Sequence, residues 1–528
     1  MHRVEEGGQL CCGRFPARWV QYSFWHHAAV AAVEGLVSIE GSPEKSRGVM
    51  LAAVCGVAGA LAGALLFLVA RGGLTDDAYI TVDYARNLAF HGHWGVVPSL
   101  KANTATSPLN VGALAAITTV VRRPVLAVGL LLMATTAASA VWLWRIAEMT
   151  RLSRWGLPTL GVALLLSSPM LASTVGLETY LCIALFVGLV RYALAGRWLA
   201  TGIVGGLLVL GRPDLAVVDV VVVFTVAAAR RRALRSALVA VAVAAPWCVV
   251  SWLWLGSVLP DTFFLKIHNR GGWDGFHFAS GLMWYLPREP LPTVLTLLAV
   301  GCGLVALGSW AVLAARQRGV VATGAGQAAA AFGLGGIAHA AVFALLGTPP
   351  SHWYYGPLVA GLSLCAAVTA LALVQSGWVG VPIGVGALGS VSLVVVAAVG
   401  YEVVRGVPWE KAPIYTNWAT RAEYQRVAED ISEIKPGATV VSPQEVGTLA
   451  YFCDCEIVDF ISDPGRIEQY IARHVQQSGP LMGRLLKLNY MHHVPASPKP
   501  AEFELVWEKG CWTATGKWRS DVLCLKKT

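Results

Sequence analysis

Long apolar runs alternate with short polar segments through the first 400 residues of the chain. The first run, 49–70, carries no charge and is long enough to cross a bilayer as a helix. Similar runs predict further spans at 125–144, 157–174, 180–194, 199–211, 214–229, 236–255, 291–315, 324–346, 357–375 and 379–400. The pattern predicts a polytopic α-helical membrane protein with about eleven spans. The apolar stretch 107–121 is interpreted as a helix on the outer surface, and a tilted crossing is the alternative.

The two ends of the chain differ from this pattern. Residues 1–48 have scattered aromatics and no periodicity, so they are a cytoplasmic extension or sequence upstream of the real start. Residues 49–400 form the predicted membrane domain, and 401–528 form a predicted extracytoplasmic α/β domain. Within that domain, 436–465 reads as strand, turn, helix and strand, because β-branched runs are bounded by Gly and Pro. Residues 510–527 read as a hairpin.

Charge supports this reading and sets an orientation. Only 13% of the residues are charged, against about 25% in an ordinary soluble domain. The net charge of +9 does not point to nucleic acid, because the basic residues cluster in short loops such as Arg145–Arg154 and Arg230–Arg235. Such loops are typically cytoplasmic, and Lys45 and Arg47 precede the first span. The protein is therefore predicted to lie in the plasma membrane, with its N-terminus in the cytoplasm and its C-terminal domain outside the cell.

Four cysteines lie in the polar C-terminal domain, where export would allow them to pair. A bond between Cys511 and Cys524 is predicted, because they lie near the two ends of the hairpin. A second bond would use Cys453 or Cys455, which are too close in sequence for either to be preferred.

An acidic pair, Asp76-Asp77, follows the first span directly. Two carboxylates at the mouth of an apolar helix cost free energy unless they serve a purpose there. One purpose is catalysis, and the alternative is capping, with Thr75 or Asp76 accepting from free backbone N–H groups. In a helix beginning at Asp76, Tyr79 and Asp83 share its face, so the three side chains are predicted to point into one cavity. An amphipathic helix on the membrane surface is the alternative.

Further polar groups fall on the predicted outer face, and each has a structural alternative. Arg212 with Asp214 can form a salt bridge across Pro213, Lys266 can extend its charge to the interface, and aromatics near His352 can form an interfacial belt. Carboxylates and cations together at the outer surface of a membrane suggest the transfer of a group from a lipid phosphate. In such a reaction a base deprotonates an acceptor hydroxyl, and cations stabilise the departing phosphate. The candidate binding residues are Tyr79, Arg86, Arg122, Glu178, Arg212, Asp214, Lys266, His268, Asn269, His352 and Tyr354.

These residues belong to motifs that resemble the GT-C superfamily of polyprenyl-phosphate-sugar glycosyltransferases. The likeness is closest to the actinobacterial cell-wall terminal arabinofuranosyltransferases. The order and spacing of six motifs over some 300 residues carry it. They are DDAYITVDYARNLA (76–89), TSPL (106–109), SSPM to GLET (167–179), RPD (212–214), LPDTFFLK (259–266) and HWYYGPL (352–358).

The resemblance implies an inverting glycosyltransferase with a GT-C fold and an active site on the outer side. Its donor would be a polyprenyl-phosphate-linked sugar, with arabinofuranose as the best guess, and its acceptor a cell-envelope glycan. Asp76 would be the catalytic base, and Asp77 would bind acceptor or donor. Arg212, Lys266 and His352 would line the donor phosphate. No cofactor is implied with certainty, and a divalent cation stays open.

A transporter or flippase of a lipid-linked glycan is the alternative function. Transporters place their functional charges near the bilayer midplane, often in paired repeats. Here the charges are predicted at one face, and the sequence has no internal repeat. The sequence therefore favours an enzyme whose partners are the membrane, a lipid-linked donor and a glycan acceptor.

Overall fold

The computed structural model describes residues 43–266, 272–316, 323–376, 381–443, 445–508 and 522–528. Two compact units, Met1–Ala52 and Ala53–Thr528, divide the chain, and the second carries the candidate site. Seven helices in the described residues are long and apolar enough to cross a membrane. They are Gly48–Ala70, Pro124–Thr150, Ala233–Leu255, Pro290–Arg316, Gly324–Leu346, His352–Gln375 and Pro382–Arg405. The prediction of a multi-pass helical membrane protein is therefore confirmed.

Four shorter apolar helices complete the apolar part of the chain. They are Pro108–Val121, Gly156–Ser167, Thr179–Leu194 and Trp198–Gly211. A helix of 14 residues is only about 21 Å long, whereas the hydrocarbon core of a bilayer is about 30 Å thick. Seven long helices and four short ones do not by themselves define eleven crossings, so the span count and the inside-to-outside orientation stay predictions.

Two predicted spans have different boundaries in the structure. The predicted span 157–174 ends at Ser167, because Pro169 lacks a backbone N–H and starts a separate four-residue helix, Pro169–Ala172. The predicted span 214–229 is divided at Val226 into Ala216–Thr225 and Ala227–Arg230.

Three of the long helices extend beyond the candidate spans or differ slightly from them, and the remaining elements of this part of the chain are short. The first long helix begins at Pro43, and the last two run over Gly356–Ser376 and Val381–Arg405. The helix Ala233–Val250 continues as a π-helix over Ser251–Leu255. Short helices and 3₁₀ turns occupy Pro213–Leu215, Asp261–Lys266, Gly281–Tyr285 and His352–Tyr355.

The acidic pair opens a helix of its own, Asp76–His91, called here the acidic helix. Gly92 follows the helix as its C-cap, and its left-handed backbone (φ 64°) is the usual conformation of a glycine at this position. Thr75 stands at the N-cap, but its side chain makes no capping hydrogen bond.

A four-stranded mixed sheet forms the centre of the C-terminal region, residues 401–528. Its order is β2-β1-β3-β4, with β1 Thr439–Val441, β2 Glu456–Val458, β3 Phe503–Glu508 and β4 Val522–Lys527. β1 is parallel to β2 and β3, and β3 is antiparallel to β4. Four helices accompany the sheet: Arg421–Ile434, Gly447–Phe452, Pro464–Gln477 and Pro480–Asn489.

This sheet bears on the predicted hairpin 510–527. Its strand β4 pairs antiparallel with β3 at 503–508, so the pairing includes residues before 510, and residues 509–521 lie outside the described residues. The predicted strand, helix and strand over 436–465 correspond to β1, Gly447–Phe452 and β2.

The core of the C-terminal sheet draws on residues from far earlier in the chain. Tyr84 and Trp94 are almost fully buried among Val440, Ile457 and Leu505. The acidic helix and the loop after it are therefore packed into the core of the C-terminal region, which brings the acidic pair to the junction between the apolar helices and the sheet.

Candidate active site at the junction of the apolar helices and the C-terminal region

The carboxylate of Asp76 is bound by the C-terminal region. Its Oδ2 accepts from the backbone N–H groups of Val446 and Gly447, each at 3.0 Å, and its Oδ1 accepts from Thr448 N–H at 2.7 Å. These donors begin the helix Gly447–Phe452, about 370 residues later in the chain. A negative charge is favoured at such a position because the free N–H groups and the helix dipole point toward it. Asp76 thus caps a helix, although not its own.

Gly447 allows this close approach. A Cβ atom at this position would lie 2.3 Å from the carbonyl oxygen of Asp76 and 2.5 Å from the backbone nitrogen of Ile80. Both are backbone atoms, so a side chain would force the two helices apart.

The same short helix contacts other predicted site residues. The ring of Tyr79 lies 5.1 Å from that of Tyr451 and 5.6 Å from that of Phe452. Arg86 packs over the Tyr451 ring, donates to the carbonyl of Tyr451 at 2.9 Å, and forms an ion pair with Asp83 at 3.0 Å. The predicted face of the acidic helix is therefore the face that docks the C-terminal region.

Glu445 is a site residue that the sequence interpretation missed. Its carboxylate accepts from Asn417 Nδ2 at 2.9 Å, from Trp418 N–H at 3.1 Å and from the Tyr424 hydroxyl. Asn417 also accepts from the backbone N–H of Asp76 at 3.3 Å, so this amide bridges the two acidic residues. A single carboxylate just before the Val-Gly-Thr-Leu-Ala segment was the available signal.

Burial dominates the electrostatics of these carboxyl groups. It raises the pKa of Glu445 to about 8, with the neighbouring charge of Asp76 as the second cause. Burial also raises the pKa of Asp76, although the three backbone N–H groups oppose this shift. The pKa of Asp83 is raised well above its usual range by burial, against the lowering effect of Arg86. The junction therefore holds acids whose protonation changes nearer to neutral pH than usual.

A second cluster, the arginine cluster, consists of Glu178, Arg212, Asp214 and His339. The guanidinium of Arg212 reaches Glu178 Oε1 at 2.7 Å and Asp214 Oδ1 at 3.1 Å. His339 Nε2 lies 2.7 Å from Asp214 Oδ2. The alternative interpretation, in which Arg212 pairs with Asp214, describes this geometry, with Glu178 as a second partner. His339 was missed, although it is the only ionisable side chain of the helix Gly324–Leu346.

Aromatic residues enclose the arginine cluster. The Arg212 guanidinium lies 5.0 Å from the Tyr354 ring and 5.7 Å from the Phe343 ring. His352 is buried, and its Nε2 lies 3.4 Å from the carbonyl oxygen of Ser173. The structure thus brings Glu178, Arg212, Asp214 and Tyr354 together from three separate sequence motifs.

The arginine cluster and the acidic helix adjoin each other. A Cβ atom on Gly176 would lie 2.7 Å from the Cβ of Ala78, so the segment that leads into Glu178 runs against the first turn of the acidic helix. Ser173 Oγ accepts from the backbone N–H of Ile414 at 2.8 Å, three residues before Asn417. Asp77 is half-buried at this junction.

Four predicted site residues are not among those that the structure places at the junction. Lys266 is the last residue of the helix Asp261–Lys266, and His268 and Asn269 lie outside the described residues. Arg122 is exposed, with its guanidinium 4.8 Å from the Phe90 ring. Within the part of the chain that the structure describes, no group of three His, Cys, Asp or Glu residues could hold a metal ion.

The cysteines at the edge of the junction form a short loop. Cys453 and Cys455 are bonded to each other, with their Cα atoms 5.0 Å apart, so the predicted second disulfide uses both of them. Cys524 is disulfide-bonded, and its predicted partner, Cys511, lies outside the described residues.

The apolar helices and the mixed sheet define a mostly helical, multi-pass membrane protein with a small C-terminal α/β region. No protein-family model and no curated protein matches the chain. Among solved structures, the chain is similar to arabinofuranosyltransferase AftD from Mycobacteria, with 14% identity and a TM-score of 0.47 over 87% of this chain. A variant of that enzyme matches with 13% identity and a TM-score of 0.43 over 89% of this chain. The chain covers 35% and 41% of those two chains.

Proposed function

We propose that this protein is an inverting glycosyltransferase of the outer face of the plasma membrane. It transfers a sugar, with arabinofuranose as the best guess, from a polyprenyl-phosphate donor to a cell-envelope glycan. The observation that carries the proposal is the meeting of buried carboxylates, guanidinium groups and aromatic rings where the apolar helices reach the C-terminal region. Apolar helices suit a lipid chain, and a polar domain suits a glycan.

The proposed reaction is a single displacement. A carboxylate takes the proton of an acceptor hydroxyl, the oxygen bonds to the anomeric carbon from the side opposite the phosphate, and the phosphate leaves with the bonding electron pair. Asp76 and Asp77 are the candidate bases. The Thr448 side chain donates to Asp76 as well as the three backbone N–H groups, so an acceptor hydroxyl that approaches Asp76 would replace one of these donors. Burial raises its pKa, which makes it a stronger base than an exposed aspartate.

The other residues have supporting roles in this proposal. Lys266 and His352 act on the donor phosphate, because an unpaired anion in a poorly solvated groove needs cations or donors. Arg212 is already paired with two carboxylates, so its share in phosphate binding rests on the N–H groups that these leave free. Tyr79, Arg86 and Tyr354 shape the surrounding site.

A lipid-linked glycan transporter is the second candidate, but no specific observation favours it. Its functional charges would lie at the bilayer midplane in paired repeats. The acidic pair instead lies beneath a helix of the polar C-terminal region.

The test is transfer by the purified full-length protein from a panel of radiolabelled polyprenyl-phosphate sugars. We expect one donor to be used, and Asp76→Asn to lower its turnover by about 10²–10⁴-fold, as loss of a general base does. Asp77→Asn is assayed beside it, and Asp454→Asn, at an exposed carboxylate of the same region, is the matched control.

Resistance of the C-terminal region to protease separates lost chemistry from lost docking in these variants. Donor binding by Lys266→Ala, measured apart from turnover, tests the phosphate assignment. The proposal is wrong if no donor supports transfer, or if both acidic variants turn over at the wild-type rate.

A further inference from the structure

The helix Pro480–Asn489 exposes an apolar face. Leu481, Leu485 and Leu488 are 74%, 52% and 54% exposed, and their spacing of four and three residues puts them on one side of the helix. The opposite side, with Gly483, Leu486 and Asn489, is buried against the rest of the protein. Met482 and Met491 extend the exposed apolar surface. A contiguous patch of this kind usually marks an interaction site.

This helix is joined to one end of a candidate membrane span. Trp252, in the last turns of Ala233–Leu255, donates its indole N–H to the carbonyl of Leu488 at 3.0 Å. The side-chain oxygen of Asn489 accepts from the backbone N–H groups of Val258 and Leu259 at 3.0 and 3.1 Å. The depth of the helix relative to the bilayer is therefore tied to the depth of the span end.

The span end itself has the residues of a membrane–water interface. Trp252 and Trp254 flank Leu253, which is 60% exposed. Tryptophan is enriched at the headgroup level, where its ring meets apolar chains and its N–H meets polar groups. The exposed leucines of Pro480–Asn489 therefore adjoin the exposed apolar surface of this candidate span.

Basic residues border the apolar face. Arg484 and Lys487 are exposed and lie one turn apart, beside the leucine stripe. Their apolar stems can lie along the leucines while their charges reach phosphate headgroups. An apolar face with a basic border is typical of a helix that lies in the plane of a membrane surface.

We propose that Pro480–Asn489 is a membrane-surface anchor of the C-terminal region. Leu481, Leu485 and Leu488 enter the boundary between headgroups and acyl chains, and Arg484 and Lys487 bind anionic headgroups. The anchor holds the C-terminal region close to the bilayer around the Trp252 end of the span. This inference rests on the fold and does not depend on the proposed transferase activity.

The experiment uses the full-length protein in vesicles of phosphatidylcholine with phosphatidylglycerol. The photoreactive residue p-benzoylphenylalanine replaces Leu485 in one variant and Ile434 in another. Ile434 is the matched control, because it is also apolar and exposed on a helix of the C-terminal region. We expect severalfold more crosslinking to phospholipid at 485 than at 434, and less at 485 when phosphatidylglycerol is omitted.

A second variant, Leu481→Glu with Leu488→Glu, is added to the Leu485 probe. The substituted side chains are exposed, so folding is retained while lipid crosslinking falls to the level of the control. The proposal is overturned if position 485 crosslinks to a second copy or another protein instead of lipid, or if it does not exceed position 434.

Discussion

The junction and the arginine cluster stabilise buried carboxylates in different ways. Asp76 is held by three uncharged backbone N–H groups from a helix of the C-terminal region. Glu178 and Asp214 are held by the full charge of Arg212, with His339 as a further partner of Asp214. The first site depends on how closely two helices approach, whereas the second depends on opposite charges within the bundle of apolar helices.

The two clusters therefore contribute to different properties: the docking of the C-terminal region and the stability of the bundle of apolar helices. The bonds to Asp76 exist only while the C-terminal region is seated on the acidic helix. The arginine cluster joins the segments that carry Glu178, Arg212 and His339, all within the apolar part of the chain. Removal of one partner should therefore release a domain in the first case and disrupt the bundle in the second.

The largest effect is expected from Arg212→Ala. This change leaves Glu178 and Asp214 as buried carboxylates without their cation, and breaking one side of a buried ion pair typically costs about 3–5 kcal/mol. Thermal unfolding of the purified protein measures it. Arg122→Ala removes an exposed guanidinium and should change stability by less than about 0.5 kcal/mol. Equal melting temperatures for the two variants would contradict a stabilising role for the cluster.

A smaller and more local effect is expected from Gly447→Ala. The added Cβ meets backbone atoms of Asp76 and Ile80, and overpacking of this kind costs about 1–3 kcal/mol. The docking of the C-terminal region should loosen, so protease should cut the segment 406–420 faster while the bundle melts as in the wild type. Gly479→Ala is the control, because a Cβ there has no heavy atom within 4 Å. Similar cleavage of both variants would show that close approach at Gly447 is unimportant.

A graded effect is expected from pH, acting on Glu445. Its pKa is raised from the ordinary 4.5 to about 8 in the folded protein. The folded state then binds more protons than the unfolded state between these values, so stability falls as pH rises from about 4.5 to about 8. Glu445→Gln cannot titrate and should flatten this dependence. Protease resistance of the C-terminal region across this range measures it, and a parallel pH profile in the variant would rule out Glu445 as its source.

Much of the fold could be predicted because its signals are local. A run of some twenty apolar residues without charge predicts a spanning helix whatever surrounds it, and seven such helices are present in the described residues. Proline explains one corrected boundary, at Pro169, because a missing N–H ends a helix more sharply than a change in hydropathy does.

Only some residues of the candidate site could be predicted from such local signals. Carboxylates and cations beside apolar runs stand out, so Asp76, Glu178, Arg212 and Asp214 were identified as candidates from the sequence. His339 and Glu445 were not, because one polar residue in an apolar stretch gives no indication of its partner.

The sequence by itself determined which segments are apolar, where charges lie along them, and which polar side chains would need hydrogen-bond or ion-pair partners when buried. Only the tertiary structure decided which groups serve as these partners. The donors to Asp76 are backbone N–H groups of Val446, Gly447 and Thr448. Every residue except proline carries the same N–H group, so these donors have no signature in the sequence. Packing across some 370 residues brings them to Asp76, at a place where free N–H groups coincide with a glycine small enough for close approach.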